Sequence, residues 1–257
     1  MALLDGKTAC VLGVANRWSI ATAIARELHA HGASLILTYE GERTQGEVEK
    51  LAAELGNAAT TMCDVAKDDS IAALHDFIAA RGGRLDTLVH SLAFARKEEL
   101  SGKFFATSRS GFALALDISV YSLVALCRAL QPLFAQQSSV MAMTYLGSVR
   151  AVMNYNVMGV AKAALEASVR YLAADLGDMG RTRVNAISAG PIKTASARAV
   201  GDFSRILGEV AAKSPLRRNA VAQDVGNAAV FLASDLSSAV TGQVLYVDAG
   251  YNILGIV

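Results

Sequence analysis

The chain has 257 residues, 53% of them hydrophobic and 18% charged, with a formal net charge of +1. That length and apolar share provide one large domain with a deep core and exclude disorder. The near-neutral balance offers no basic surplus for nucleic acid, so any charged partner must meet a local patch.

The segment Met1 to Lys7 lacks a basic stretch followed by a long apolar run and leads straight into a strand. Thr8 to Leu12 reads as that strand. Ser19 to His31 reads as a helix with Ile20, Ile24 and Leu28 on one stripe. A strand from Ser34 to Tyr39, a helix from Arg43 to Leu55 and a strand from Ala58 to Cys63 follow. Asp68 to Arg81 is a helix whose Ile71, Leu74 and Ile78 share a face, and Leu85 to Ser91 is a fourth strand. Beyond a loop comes a long apolar helix, Arg109 to Leu133. Ser139 to Tyr145 is a strand, Tyr155 to Leu176 a helix, and Arg183 to Ser188 a sixth strand. Asp202 to Lys213 and Ala222 to Leu232 read as helices, and Val244 to Val247 closes the pattern.

Strands and helices alternating this regularly predict right-handed βαβ crossovers. The fold class is therefore α/β: a single Rossmann-like domain over 1–257, with a parallel sheet of about seven strands, doubly wound and covered by helices on both faces. No apolar stretch reads as long enough to span a bilayer without charges, so the expected compartment is the cytoplasm. Cys10, Cys63 and Cys127 lie apart in apolar stretches and read as buried hydrophobes. His29, His31, His75 and His90 show no ligand spacing, so no protein-bound metal is expected.

In such a fold, ligands bind outside the carboxyl ends of the strands. The first strand runs into Gly13, which allows a tight turn, and Ser19-Ile20 is placed to start a helix whose free amides suit a pyrophosphate. Without a G-x-G-x-x-G pattern, an ordinary strand–turn–helix fits the segment equally well. Glu40, after the second strand, can accept from ribose hydroxyls and repel a 2′-phosphate; it is otherwise a solvated carboxylate, and Arg43 beside it suits a 2′-phosphate instead. Asp64, followed by Val65, can meet an adenine amino group or cap the next helix. Ser91-Leu92-Ala93 has small residues that permit close backbone approach, as plain strand–helix packing also would. Tyr155 and Lys162 are seven apart on a predicted helix and so share a face. A lysine beside a phenol is expected to lower its pKa; a chance surface pair is the bland alternative.

These segments resemble the short-chain dehydrogenase/reductase superfamily, and within it the bacterial enoyl-acyl-carrier-protein reductases. The resemblance covers nearly the whole chain. Its marks are Gly13-x5-Ser19-Ile20-Ala21, Cys63-Asp64-Val65, His90 to Ala95, Asp117-Ile118-Ser119, Tyr145-Leu146-Gly147, Asn154 to Gly159 leading to Lys162, Arg183 to Thr194, and Val247 to Gly250. The wider superfamily uses Tyr-x3-Lys, with a serine about thirteen residues before the tyrosine. Here those positions are Met158 and Tyr145, so the ketone-reducing pair is missing. Leu92 stands where isoleucine is usual, and Lys193 where arginine is common.

The resemblance implies NADH-dependent reduction of the C=C bond of a trans-2-enoyl thioester, the last reductive step of bacterial fatty-acid elongation. It implies catalytic roles for Tyr155, Lys162 and Tyr145. Gly13, Ser19, Ile20, Glu40, Asp64, Val65, Leu92, Lys162, Ile192 and Thr194 would bind the cofactor, and Ala95, Tyr145, Tyr155 and Met158 the acyl substrate. It further implies acyl-carrier protein as partner, a homotetramer, and the apolar run Ile253 to Val257 at an interface or as a buried tail. A substrate-binding lid is expected around 191–213, with a rigid surface helix as the alternative. Arg198, Arg205, Lys213, Arg217 and Arg218 form an expected basic rim for the acidic carrier, with a solvated charged face as the alternative. A carbonyl reductase of the same superfamily and a non-catalytic nicotinamide-binding sensor are the competing functions. Met158 argues against the first, and the presence of both Tyr155 and Lys162 against the second.

Overall fold

The computed structural model describes residues 2–194 and 203–255. Seven strands run β1 Thr8–Leu12, β2 Ser34–Tyr39, β3 Ala59–Met62, β4 Leu85–His90, β5 Phe134–Thr144, β6 Arg183–Ala189 and β7 Val244–Val247. All pair in parallel in the order β3-β2-β1-β4-β5-β6-β7. The helices are α1 Ile20–Ala30, α2 Glu42–Glu54, α3 Asp68–Ala79, the single turn α4 Lys97–Leu100, α5 Arg109–Leu116, α6 Ser122–Leu130, α7 Asn156–Gly180, α8 Phe203–Lys213 and α9 Ala222–Ala233.

Two apolar layers cover the sheet, as the continuous apolar strands require. On one face Ile24 and Leu28 of α1, Val48 and Leu51 of α2 and Val225 and Ala229 of α9 pack on Val11, Leu37 and Ile187. On the other, Leu74 of α3, Leu126 and Leu130 of α6 and Leu165 and Val169 of α7 pack on Leu12, Leu88 and Val140. Cys10, Cys63 and Cys127 are buried, and burial holds each thiol above its ordinary pKa, as inert core cysteines.

Three differences from the sequence expectations have local causes. The helix expected from Arg109 to Leu133 is interrupted by a π turn at Asp117–Tyr121, which a 3.6-residue period does not reveal. Strand β5 starts at Phe134, five residues early, with a register shift against β4 between Leu85 and Thr87. Helix α7 runs to Gly180 and stops at Arg181 in the left-handed region, φ 56°. One apolar run is long but not free of charges, carrying Arg109, Asp117 and Arg128. Arg109–Leu133, 25 residues, contains a window of mean hydropathy 1.7 and is long and apolar enough to cross a membrane. Ala115, Leu123, Leu126, Cys127 and Leu130 on this run are buried in the domain, a structural use for that apolar character.

The lid expected around 191–213 falls partly on 195–202, outside the described residues, as do Arg198 of the expected rim and the last two residues of the C-terminal run. Within the described part, Arg205 pairs with Glu209 at 2.9 Å and Arg218 with Asp224 at 2.6 Å. Two of the five expected rim cations therefore have an adjacent carboxylate. Asn185 and Asp248 brace the far edge of the sheet. Asn185 donates to the Val240 carbonyl and accepts from Gln243 N–H; Asp248 accepts from Gly250 and Asn252 N–H.

Candidate active site

Strand order reverses between β1 and β4, and there the carboxyl ends open a crevice. Gly13 leaves β1 at φ +97°, and a Cβ on it would lie 2.0 Å from the Ser91 carbonyl oxygen that follows β4. Only glycine permits this approach. The turn beyond is ordered by its own hydroxyls. Ser19 caps α1, accepting from Thr22 N–H, while the Ser19 and Thr22 hydroxyls both donate to the Asn16 carbonyl. The result is an 11-residue helix whose amino end faces the crevice with unpaired amides, suited to a dinucleotide's pyrophosphate. Ile20 and Ile192 are half-buried and pack on the core beneath it; Thr194 is half-buried at the end of the described β6 loop.

Glu40 is exposed beyond β2 and 3.7 Å from the exposed Arg43. Asp64, beyond β3, accepts from Ala66 N–H and pairs with Lys67 at 2.9 Å. Lys67 holds the Asp64 carboxyl below its ordinary range, with the Ala66 bond assisting against burial. Val65 is half-buried against the core. The donors and acceptors at this end therefore match a dinucleotide: a tight glycine turn, a helix amino end, and carboxylates after β2 and β3.

The second half of the site forms at β4, β5 and α7. Lys162 is buried, and its ammonium donates to the Met143 carbonyl at the end of β5 (2.7 Å) and reaches the Leu92 carbonyl beyond β4 (3.5 Å). Burial pushes its pKa down to about 8, against the opposing attraction of Glu166. Tyr155 stands at the position just before α7 rather than inside the helix. Its ring meets Tyr145 edge-on, with centroids 5.0 Å apart and planes at 67°. Two glycines make this possible. A Cβ on Gly147 would lie 2.5 Å from the Tyr155 ring, and one on Gly159 2.8 Å from the Gly147 carbonyl. The turn after β5 thus rests directly on α7 and forms the bed for the tyrosine.

The expected lowering of the Tyr155 pKa is corrected. Removal from water, and secondarily the Tyr145 phenol, raise it above its ordinary value, because the Lys162 ammonium is engaged by two backbone carbonyls. Tyr145 is likewise raised by burial and then by Tyr251. Tyr155 is therefore a neutral hydrogen-bond donor. Met158, one turn along α7, is 5% exposed and packs in the core; Ala95 is half-buried beside it in the same layer.

Several supporting residues carry no role in the sequence reading. The π turn aims Ser119 and Ser122 at the exit of β4. Ser119 accepts from Phe94 N–H, and the Ser122 hydroxyl donates to Ile118 and receives the Nε2–H of buried His90 at 2.7 Å. His90 is neutral, its pKa pushed down to about 3 by burial and then by Lys162. Glu166 lies one turn past Lys162, a spacing visible in the sequence, and accepts from the Thr144 hydroxyl at 2.7 Å.

The family model for enoyl-(acyl carrier protein) reductase matches residues 13–252. An enoyl-[acyl-carrier-protein] reductase [NADH], FabI, from Nostoc sp. is 52% identical over 99% of this chain and 100% of its own length. The enzyme of the same name from Bacillus cereus is 51% identical over 99% and 100%. A crystal structure of the Bacillus cereus reductase with NADP+ and an indole naphthyridinone superposes with a TM-score of 0.98 at 50% identity, covering 100% of both chains. The Aquifex aeolicus enzyme gives 0.96 at 44% identity over 99% and 100%. With the crevice at β1 and β4, Tyr155 at the start of α7 and Lys162 within it, these matches show that the chain belongs to the enoyl-acyl-carrier-protein reductase family.

Proposed function

We propose that this chain works as an NADH-dependent enoyl-acyl-carrier-protein reductase through Tyr155 and Lys162, in the last reductive step of fatty-acid elongation. The single observation that carries the chemistry is the spacing along α7. The phenol nearest Lys162 stands seven residues before it, and the position four before it is Met158, buried in the core. NADH, when bound, supplies a hydride to the β-carbon of the enoyl thioester. Charge then appears on the thioester oxygen, three bonds farther along the conjugated chain. Tyr155, set back from Met158 by almost one helical turn, donates a hydrogen bond to that oxygen. Its high pKa keeps the proton on the phenol at neutral pH. Lys162 holds the nicotinamide ribose, while Tyr145, Met158 and Ala95 flank the acyl chain.

The experiment is NADH oxidation with crotonyl and longer 2-enoyl thioesters beside a 3-ketoacyl thioester. Turnover of the enoyl substrates alone is expected. Reduction of the ketoacyl thioester with inert enoyl substrates would overturn the reading.

Asp64 and Val65 hold the adenine end of the cofactor, Gly13, Ser19, Ile20 and Thr194 lie near its pyrophosphate, Leu92 backs it beyond β4, and the backbone around Ile192 meets the nicotinamide amide. Glu40 sets the cofactor preference, because its exposed carboxylate repels a 2′-phosphate. Glu40→Arg is expected to lower the ratio of kcat/KM for NADH to that for NADPH by about tenfold, equivalent to about 1.4 kcal/mol. An unchanged ratio would remove Glu40 as the selector.

The carrier protein delivers the acyl chain at this edge, beneath a lid to which α8 belongs. The chain works in the cytoplasm as a homotetramer. Val160, Ala164, Ala167, Ser168 and Tyr171 support that assembly, since they share one stripe along α7 in which half-buried Ala164, Ala167 and Ser168 lie between exposed Val160 and Tyr171.

A further inference from the structure

The site reading gives no function to one buried carboxylate. Glu166 is 6% exposed and projects from α7 on the same side as Lys162, one helical turn away. Its Oε1 accepts from the Thr144 hydroxyl at 2.7 Å. Thr144 follows Met143, whose carbonyl accepts from the Lys162 ammonium at 2.7 Å, and Tyr145 follows Thr144. Two neighbouring α7 side chains of opposite charge thus grip two consecutive residues at the carboxyl end of β5.

We propose that Glu166 is a positioning residue for the reduction: it is the buried counter-charge that keeps Lys162 an ammonium, and through Thr144 it fixes the strand end that carries Tyr145. The inference rests on the reading of Lys162 as the ribose-holding residue.

The surroundings explain why a counter-charge is needed. An ammonium removed from water loses its proton unless an opposite charge lies nearby. The groups facing Lys162 are Glu166 on its own helix and His90 at the end of β4. His90 is neutral, so the charge that acts on Lys162 is the Glu166 carboxylate. Glu166 in turn faces Tyr246 of β7, which is also under the influence of Asp248 and Arg150. Tyr145 and Tyr155 are protonated and bring no charge. The Thr144 hydroxyl satisfies one carboxylate oxygen without cancelling its charge. The carboxylate can therefore act on Lys162 across the helix turn while tied to the strand.

The charge and the hydrogen bond separate cleanly by substitution. Glu166→Gln keeps an oxygen acceptor for Thr144 and removes the charge. Thr144→Val removes the hydrogen bond and keeps the charge. NADH affinity is read by nicotinamide fluorescence from neutral to alkaline pH, with kcat/KM for a crotonyl thioester beside it. In the wild type, affinity falls as pH rises through the Lys162 titration. In Glu166→Gln the midpoint of that fall is expected about one pH unit lower. In Thr144→Val the midpoint is expected to stay, while kcat/KM drops by about two- to tenfold. A wild-type midpoint in Glu166→Gln overturns the counter-charge. Wild-type kinetics in Thr144→Val overturn the strand-end role. Should circular dichroism show Glu166→Gln unfolded, Glu166→Asp replaces it. Its carboxylate withdraws by one methylene from both partners, so an unmoved midpoint there overturns the proposal equally. Lys162→Ala separates the two levels. If it leaves NADH affinity unchanged, the reading of Lys162 fails. If it weakens NADH while Glu166→Gln keeps the wild-type midpoint, the inference about Glu166 alone fails.

Discussion

Tyr155→Phe is expected to lower kcat for a 2-enoyl thioester by about 10- to 100-fold, the loss of one hydrogen bond to a developing charge of about 1.5–3 kcal/mol. The ring contact with Tyr145 and the bed formed by Gly147 do not involve the phenol oxygen, so the fold around the site should stay intact. NADH affinity should change less than twofold, because the proposed cofactor contacts at the strand ends and Lys162 do not include the Tyr155 phenol oxygen. Stopped-flow turnover and fluorescence titration measure the two quantities separately. An equal loss in kcat and in NADH affinity would mean that Tyr155 shapes the cofactor site instead of stabilising the transition state. The pH profile provides a second check. With its pKa raised by burial, Tyr155 remains protonated through the neutral range, and the loss in Tyr155→Phe should be constant there.

Lys162→Ala is expected to be more severe. It removes the ammonium that would hold the ribose, leaves the Met143 carbonyl without its donor, and strips Glu166 of its cationic neighbour. NADH affinity should fall by about 10- to 100-fold, the scale of one charge-assisted hydrogen bond, with kcat/KM falling further. The pH dependence has a defined sign. The folded pKa of about 8 lies below the ordinary lysine value of 10.5, so the unfolded chain binds more protons between these values. Fold stability contributed by this group therefore rises with pH from about 8 to 10.5, and the penalty of burying the ammonium is fully present below that window. Lys162-dependent NADH binding runs the other way and weakens above about pH 8. Lys162→Ala should abolish both trends, observable as a flatter pH profile of Tm and of NADH affinity. Persistence of the alkaline fall in affinity would assign it to another group.

The fold was legible because its signals are local and repeated. Apolar runs at Thr8–Leu12, Ser34–Tyr39 and Arg183–Ala189 alternate with helical stripes such as Ile20, Ile24 and Leu28, and that alternation admits essentially one handedness of crossover. Gly13 and Ser19 were legible for a similar reason. A turn and a helix cap are decided within a few residues, and the structure places both as the sequence suggests. Through the resemblance to the enoyl reductases, the seven-residue spacing of Tyr155 and Lys162, with Met158 between them, implied double-bond rather than carbonyl reduction without coordinates.

What the sequence leaves undecided depends on residues far apart in the chain. At the π turn Asp117–Tyr121 and the start of α6, Ser119 and Ser122 find partners at Phe94 and His90, 25 and 32 residues away in sequence. The bed of Gly147 on Gly159 needs β5 and α7 in contact before either glycine has a reason. The largest reversal is electrostatic. Tyr155 and Lys162 share a helix face, which suggested a lowered phenol pKa, but the ammonium turns to the Met143 and Leu92 carbonyls and the phenol rises instead. A pKa depends on which atoms surround a group and how much water remains there. By itself the sequence determined the fold and nominated the cofactor end and the Tyr155–Lys162 pair, because each rests on patterns within one element or its neighbours. Only the tertiary structure decided the charge states of that pair and the role open to Glu166, because burial and long-range contacts exist only once the sheet has closed over α7.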